Sequence, residues 1–165
     1  MQFLSMGDVL AYAGAGVALL GIALCVGLAC YGSGRGTGAA GEAGAGLLAE
    51  DPSKFGQVIL FQVLPGSQGL YGFAIAFLTF NAIGGMGGLT ELTMAQGMMF
   101  FAACIPMAIG GLTAIPQGRV AAAAIGMIAR QEGGAGRGIL LCIVVEIYAL
   151  LSFVLSFLAL NAISI

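Results

Sequence analysis

The sequence predicts an all-α membrane protein of four transmembrane helices, built as two tandem hairpins in parallel repeat. Three observations predict it: an apolar composition, long uncharged runs, and a self-similarity about 80 residues apart. Of the 165 residues, 60% are apolar and 7% charged, with a mean hydropathy of +1.08. Soluble domains carry about a quarter charged residues, so this chain cannot cover a globule with polar side chains. An ordinary soluble enzyme, a basic nucleic-acid binder and an acidic disordered tail are excluded together.

The charges are few enough to place singly. Arg35, Lys54, Arg119, Arg130 and Arg137 are basic, and Asp8, Glu42, Glu50, Asp51, Glu91, Glu132 and Glu146 are acidic. Residues 9–34, 55–90 and 92–118 carry no charge, and residues 138–165 carry one. Each run exceeds the roughly 20 residues a helix needs to cross a bilayer. Helices are therefore expected over residues 9–31, 57–83, 92–114 and 139–163. The Ala-rich stretches 39–49 and 120–130 extend the first and third beyond the hydrocarbon.

The opening MQFLSMGD has no basic residue to form the positive start of a signal peptide, so the first helix is expected to be retained. All five basic residues fall on the side of the connections between helices one and two and between three and four. The positive-inside rule places those connections in the cytoplasm and both termini outside. Cys25, Cys30, Cys104 and Cys142 lie in apolar runs without CxxC spacing, and are read as small core hydrophobes.

The duplication divides the chain into a first hairpin, residues 1–83, an extracytoplasmic loop, 84–91, and a second hairpin, 92–165. YGFAIAFLTFNAI resembles LLSFVLSFLALNAI, aligning Phe73 with Phe153, Phe77 with Phe157 and Asn81 with Asn161, each 80 residues apart. GSGR at 32–35 aligns with PQGR at 116–119, 84 apart. Two crossings per repeat return the chain to the same side, in keeping with the charge pattern, and parallel repeats suggest an element that is tiled. Of 29 glycines, 12 lie in the first 50 residues, while none follows Gly138. Glycine lets helix backbones approach closely in lipid, so helices one and three belong to a crowded inner layer and two and four to a bulkier outer one.

GTGAAG at 36–41 satisfies GxGxxG but ends a transmembrane segment rather than joining a strand to a helix, so nucleotide binding is not expected. No His, nucleophile elbow or paired carboxylates supply hydrolytic chemistry. Glu146 remains. It lies seven residues beyond Ile139, roughly 10 Å into the fourth helix, flanked by LLCIVV and IYALLSFVL. An ionised side chain at a helix centre costs about 2.5–3.5 kcal/mol on the insertion scale, so Glu146 is expected to be neutralised by a proton or a cation. The alternative is a carboxyl that only knits helices together, in a non-rotary tetraspan pore or structural oligomer.

Leu64, Ser67, Gln68 and Tyr71 stand at i, i+3, i+4 and i+7, on one face of the second helix. Pro65 has no N–H, and Gly66 and Gly69 permit close approach of another helix. Gln117 follows Pro116 in the third segment. A hydroxyl, two amide oxygens, a backbone carbonyl and a carboxylate make the oxygen-rich set a hard cation prefers, whereas proton exchange needs the carboxyl alone.

DPSKFGQ, LPGSQGLYGFAIAF, PQGRVAAAAI and VEIYALLSFVLSFL, with its single carboxylate, together resemble the proteolipid (K or c) subunit of vacuolar-type rotary ATPases, particularly the bacterial sodium-translocating kind. The resemblance covers nearly the whole chain. It implies a non-catalytic subunit, many copies of which form a two-layer rotor ring. Glu146 would carry Na+, or H+ as the alternative. Leu64 would be the backbone-carbonyl ligand, Ser67 the hydroxyl ligand where the sodium proteins have Thr, and Gln68 and Gln117 the amide ligands. Tyr71 would hydrogen-bond Glu146 and close the site. Gly66 stands opposite Glu146 in the repeat, giving one site per four helices. The implied partners are identical copies, a stator membrane subunit with an essential Arg, a central-stalk subunit near Lys54 and Glu132, and lipid, with no nucleic acid.

Overall fold

The computed structural model describes residues 6–85, 91–131 and 133–163, and among them every regular element is helical. Six α-helices, α1 (Met6–Glu50), α2 (Phe55–Val63), α3 (Ser67–Ala82), α4 (Met94–Gly110), α5 (Ala114–Arg130) and α6 (Ala135–Asn161), form four rods. A 3₁₀ turn over Leu64–Gly66 joins α2 to α3 in the second rod, and one over Gly111–Thr113 joins α4 to α5 in the third. All four rods are long and apolar enough to cross a membrane, and the chain is a multi-pass membrane protein.

The first rod has no internal proline, and α1 runs unbroken for 45 residues. At 1.5 Å per residue it spans about 68 Å, more than twice the roughly 30 Å of a hydrocarbon core. The Ala-rich extensions expected of the first and third helices are therefore helical to Glu50 and Arg130. Pro52 stops the first: Asp51 before it is extended (φ −137°, ψ 88°) and accepts from the Ser53 amide, as a residue preceding proline favours. The Ser53 hydroxyl also donates to Asp51 at 2.6 Å, and chiefly this bond holds the carboxyl below its ordinary range. Gly84 and Gly85 end the second rod with φ of 99° and 49°, a left-handed exit that glycine takes without strain. The rest of that loop, 86–90, and Glu132 lie outside the described residues. Thr93 then opens α4 with a capping box: its hydroxyl accepts from the Gln96 amide, and the Gln96 side chain accepts from Thr93 N–H.

Two details differ from the sequence reading. The fourth helix begins at Ala135 rather than Ile139, because the turn at Gly133 (φ 77°) lets it start immediately. Glu146 thus lies 11 residues in (146 − 135), about 16 Å from the helix start and two residues from the centre of a 27-residue helix, deeper than a start at Ile139 would put it. Cys30 departs from its expected place as well: it is exposed, whereas Cys25, Cys104 and Cys142 are buried.

The first and third rods pack along their length because both backbones lack side chains where they meet. A Cβ on Gly36 would strike the carbonyl of Ala114, and one on Gly118 the backbone of Gly36. Gly14 and Gly97 oppose each other in the same way toward the other end. The second rod lies on α1 and the fourth on α4 and α5, carrying outward the large apolar side chains of Leu70, Phe73, Leu151 and Leu158, each more than half exposed. Three buried clusters fill the interior in sequence, around Phe100 and Ile83, around Ile75 and Met107, and around Phe61 and Ile125.

Gly34 and Gly38 face away from this seam, with nothing within 4 Å of an added Cβ. Gly118→Leu should therefore destabilise the protomer by on the order of 3 kcal/mol through overpacking. Gly34→Leu should leave the protomer's stability unchanged while blocking association between copies. Thermal unfolding in detergent together with native mass analysis checks both.

Candidate functional site

The interrupted second rod sets the site. The 3₁₀ turn over Leu64–Gly66 restarts the helix at Ser67, so the Leu64 carbonyl, the Ser67 hydroxyl and the Gln68 amide gather at one level facing α6. There Glu146, half-buried, receives four hydrogen bonds. Ser67 Oγ and Tyr71 OH donate to Oε1 at 2.6 and 2.8 Å. Gln68 Nε2 and Gln117 Nε2 donate to Oε2 at 2.9 and 2.8 Å. A carboxylate has about four acceptor sites on its two oxygens, and here all four meet neutral donors. Gln68 and Gln117 are fully buried, where an unmet polar group costs about 1–3 kcal/mol.

Every residue expected of the site comes together. Leu64 contributes its carbonyl, 3.0 Å from Ser67 Oγ. Gln68 Oε1 stands 3.2 Å from the same hydroxyl. Gln117 meets Glu146 through its amide nitrogen, while its oxygen accepts from Gln68 Nε2. Ser67 Oγ thus has a single hydrogen and three acceptor oxygens within reach: Glu146 Oε1, Leu64 O and Gln68 Oε1. One proton satisfies one of them, and the remaining oxygen contacts are the kind a cation resolves.

Three supports are not expected from the sequence. Gln117 Nε2 also donates to the Cys142 carbonyl at 3.1 Å, which fixes the amide one turn below Glu146 on α6. The ring of Phe153 lies 5.4 Å from that of Tyr71, tilted by 43°, and steers the phenol toward the carboxylate. Ser33 accepts from the Gly69 amide at 2.7 Å. Phe153 carries a signal in its repeat partner Phe73. A backbone carbonyl such as that of Cys142 carries none. A groove of about 710 Å³, lined by Thr37, Gln62, Leu64, Ser67 and Tyr71 among others, reaches Glu146 from outside the helices.

A single carboxylate near the middle of a membrane helix, clasped by neutral donors from two other rods and open to one side, is the arrangement a membrane ion-carrier requires. The sequence pattern of the ATP synthase C-subunit family matches twice, at residues 20–79 and 101–159. The chain is 45% identical over 147 residues to V-type sodium ATPase subunit K of Enterococcus hirae, covering 88% of this chain and 91% of that protein. It is 38% identical over 141 residues to A-type ATP synthase subunit K of Methanocaldococcus jannaschii, covering 86% of this chain and 60% of that longer one. The chain belongs to the ATP synthase C-subunit family, and is a non-catalytic membrane rotor subunit of a rotary ATPase.

Gln68→Leu removes the donor to both Gln117 Oε1 and Glu146 Oε2 at a fully buried position. It should cost about 2 kcal/mol. Tyr71→Phe removes one donor at a partly exposed position and should cost about half that. Thermal unfolding of the detergent-solubilised protein orders the two.

Proposed function

We infer that this protein carries sodium ions across the membrane on Glu146, in a closed ring of identical copies. The observation that carries the reading is the crowding of oxygens about Ser67 Oγ, more acceptors than its one hydrogen can serve. A sodium ion bound between Glu146 Oε1, Ser67 Oγ, the Leu64 carbonyl and Gln68 Oε1 would turn those contacts from competing to cooperative. Gln117 would supply the second amide of the site, and Tyr71 would hold Glu146 in place from the second rod. The sodium in the name of the Enterococcus hirae relative supports this reading. A proton on Glu146 would relieve only one of the oxygen contacts.

Neutrality makes the passage through lipid tolerable: an occupied carboxylate carries no net charge past the hydrocarbon, where a bare one is costly. Each copy would load an ion from one access channel, travel occupied, and release it as the essential Arg of a stator membrane subunit approaches. Open glycines on α1, Gly34 and Gly38, supply a face on which a neighbouring copy can seat closely. The two hairpins, residues 1–83 and 92–165, then tile the ring as equivalent units joined by the loop 84–91. The basic residues at the connections favour a cytoplasmic position for Lys54 and Glu132, beneath a central-stalk subunit, with both termini outside.

Glu146→Gln keeps the volume but replaces one acceptor oxygen with an amide nitrogen, and it cannot compensate a cation. Ring assembly should survive, and coupled transport in the reconstituted complex should fall to background. Retained transport would sink the rotary reading.

Sodium should protect Glu146 from a carboxyl-modifying carbodiimide in the intact complex. Ser67→Ala, Gln68→Ala and Gln117→Ala should each raise the half-protecting sodium concentration. Because sodium and protons compete for one carboxylate, that concentration should also rise as pH falls. Labelling of the unmutated complex that ignored sodium throughout would identify the ion as the proton.

A further inference from the structure

The first hairpin contains a polar contact that touches neither Glu146 nor the groove beside it. Ser33, on α1, is 8% exposed, and its Oγ accepts from the Gly69 N–H at 2.7 Å. Gly69 is the third residue of α3, immediately after Ser67 and Gln68. The first turn of a helix is where backbone N–H groups are free to bond a side chain. A Cβ on Gly69 would stand 3.1 Å from Ser33 Oγ and 3.2 Å from Ser33 Cβ, so glycine is what lets the hydroxyl come this near. Cys25, Ala29 and Ser33, at i, i+4 and i+8, present one face of α1 to α3. Cys25 Sγ donates to the Gly72 carbonyl at 3.5 Å, and a Cβ on Gly72 would strike Ala29.

The repeat gives this contact its meaning. Aligning 32–35 with 116–119 places Ser33 on Gln117. Both cross from an inner rod to the outer rod of their own hairpin. Gln117 reaches the Cys142 carbonyl and the Glu146 carboxylate, and Ser33 reaches the backbone that carries Ser67 and Gln68. Equivalent positions thus hold the two halves of one site, the carboxylate half directly and the neutral half through the main chain. The second hairpin uses the same device where Ser156 Oγ accepts from the Met107 amide at 3.0 Å, next to Pro106.

We propose that Ser33 is a positioning residue for ion binding, whose hydroxyl fixes the first turn of α3 so that Ser67 and Gln68 meet Glu146. The proposal rests on the sodium reading given above. The Ser67 and Gln68 side chains stand on a turn that follows a 3₁₀ break, and small movements of that turn would separate Ser67 Oγ and Gln68 Nε2 from Glu146. Groups that orient metal ligands typically change affinity about 10–100-fold when removed.

The test is sodium protection of Glu146 from carbodiimide in membranes bearing the intact complex, titrated with sodium chloride. Ser33→Ala should raise the half-protecting concentration about tenfold, while labelling without sodium reaches the same extent as in the parent. Cys25→Ala, on the same seam but two turns away, should leave the titration where it was. Gly69→Ala displaces the same hydroxyl while keeping Ser33 and should reproduce the rise, serving also where the Ser33→Ala complex fails to assemble. An unshifted titration in Ser33→Ala, or in Gly69→Ala where only that variant assembles, or an equal rise in Cys25→Ala, would overturn the positioning role and leave the sodium reading intact. Loss of sodium protection in the unmutated complex would overturn the sodium reading, and this proposal with it.

Discussion

A carboxylate near the centre of a membrane helix must be either surrounded by donors or stripped of its charge, and this requirement organises the packing around α6. Among the described residues, no basic side chain hydrogen-bonds Glu146. Ser67, Gln68, Tyr71 and Gln117 converge on it instead, and they come from two other rods. The second and third rods must therefore both reach the fourth at one level. The 3₁₀ turn over Leu64–Gly66 serves that end, since it resets the second rod so that Ser67 and Gln68 begin a new helix. A cradle of neutral donors leaves the charge of the carboxylate uncompensated by any fixed Arg or Lys among the described residues.

Lipid offers no hydrophobic force to press helices together, so close packing has to come from shape. The chain meets this by giving the inner rods almost no side chains at their contact. Gly36 against Ala114 and Gly118, and Gly14 against Gly97, bring the backbones together. The same seam carries Gln117 on its outer flank, within reach of α6. Ser33 occupies the matching place toward α3. Inner-layer compactness is thus what allows short side chains such as Ser33 to span to the outer rods.

Whether a residue is legible in the sequence depends on whether its role is local. Glu146 stands out because a charge inside an apolar run is rare whatever surrounds it. Ser67, Gln68 and Tyr71 follow from helical spacing, which survives the 3₁₀ turn because that turn adds little rotation over three residues. Gln117 is harder, lying in another rod 29 residues before Glu146, and it enters through family resemblance and its chemistry. The Cys142 carbonyl, the Ser33 hydroxyl and the orientation of Phe153 are out of reach, since each acts through an inter-helix distance that no spacing encodes. The interruption at Gly111–Thr113 is equally hidden, for no proline lies within it. The start of α6 is masked because Gly134, Gly136 and Gly138 read as loop residues, yet they are helical or cap the helix.

The duplication explains why one frame yields a single carboxylate. Gly66 lies at the register of Glu146 in the first hairpin (146 − 80), inside the turn that breaks the second rod. A second carboxylate there would stand in lipid without a Gln117 of its own, because the equivalent position is Ser33 and its hydroxyl is engaged with the Gly69 amide. Glycine at that register carries no charge, and the turn there contains Pro65. The first hairpin then provides the hydroxyl, amide and carbonyl, and the second provides the carboxylate. Asymmetry between two copies of one fold sets unlike polar groups on facing helices, while the shared glycine seam keeps those helices at matching heights.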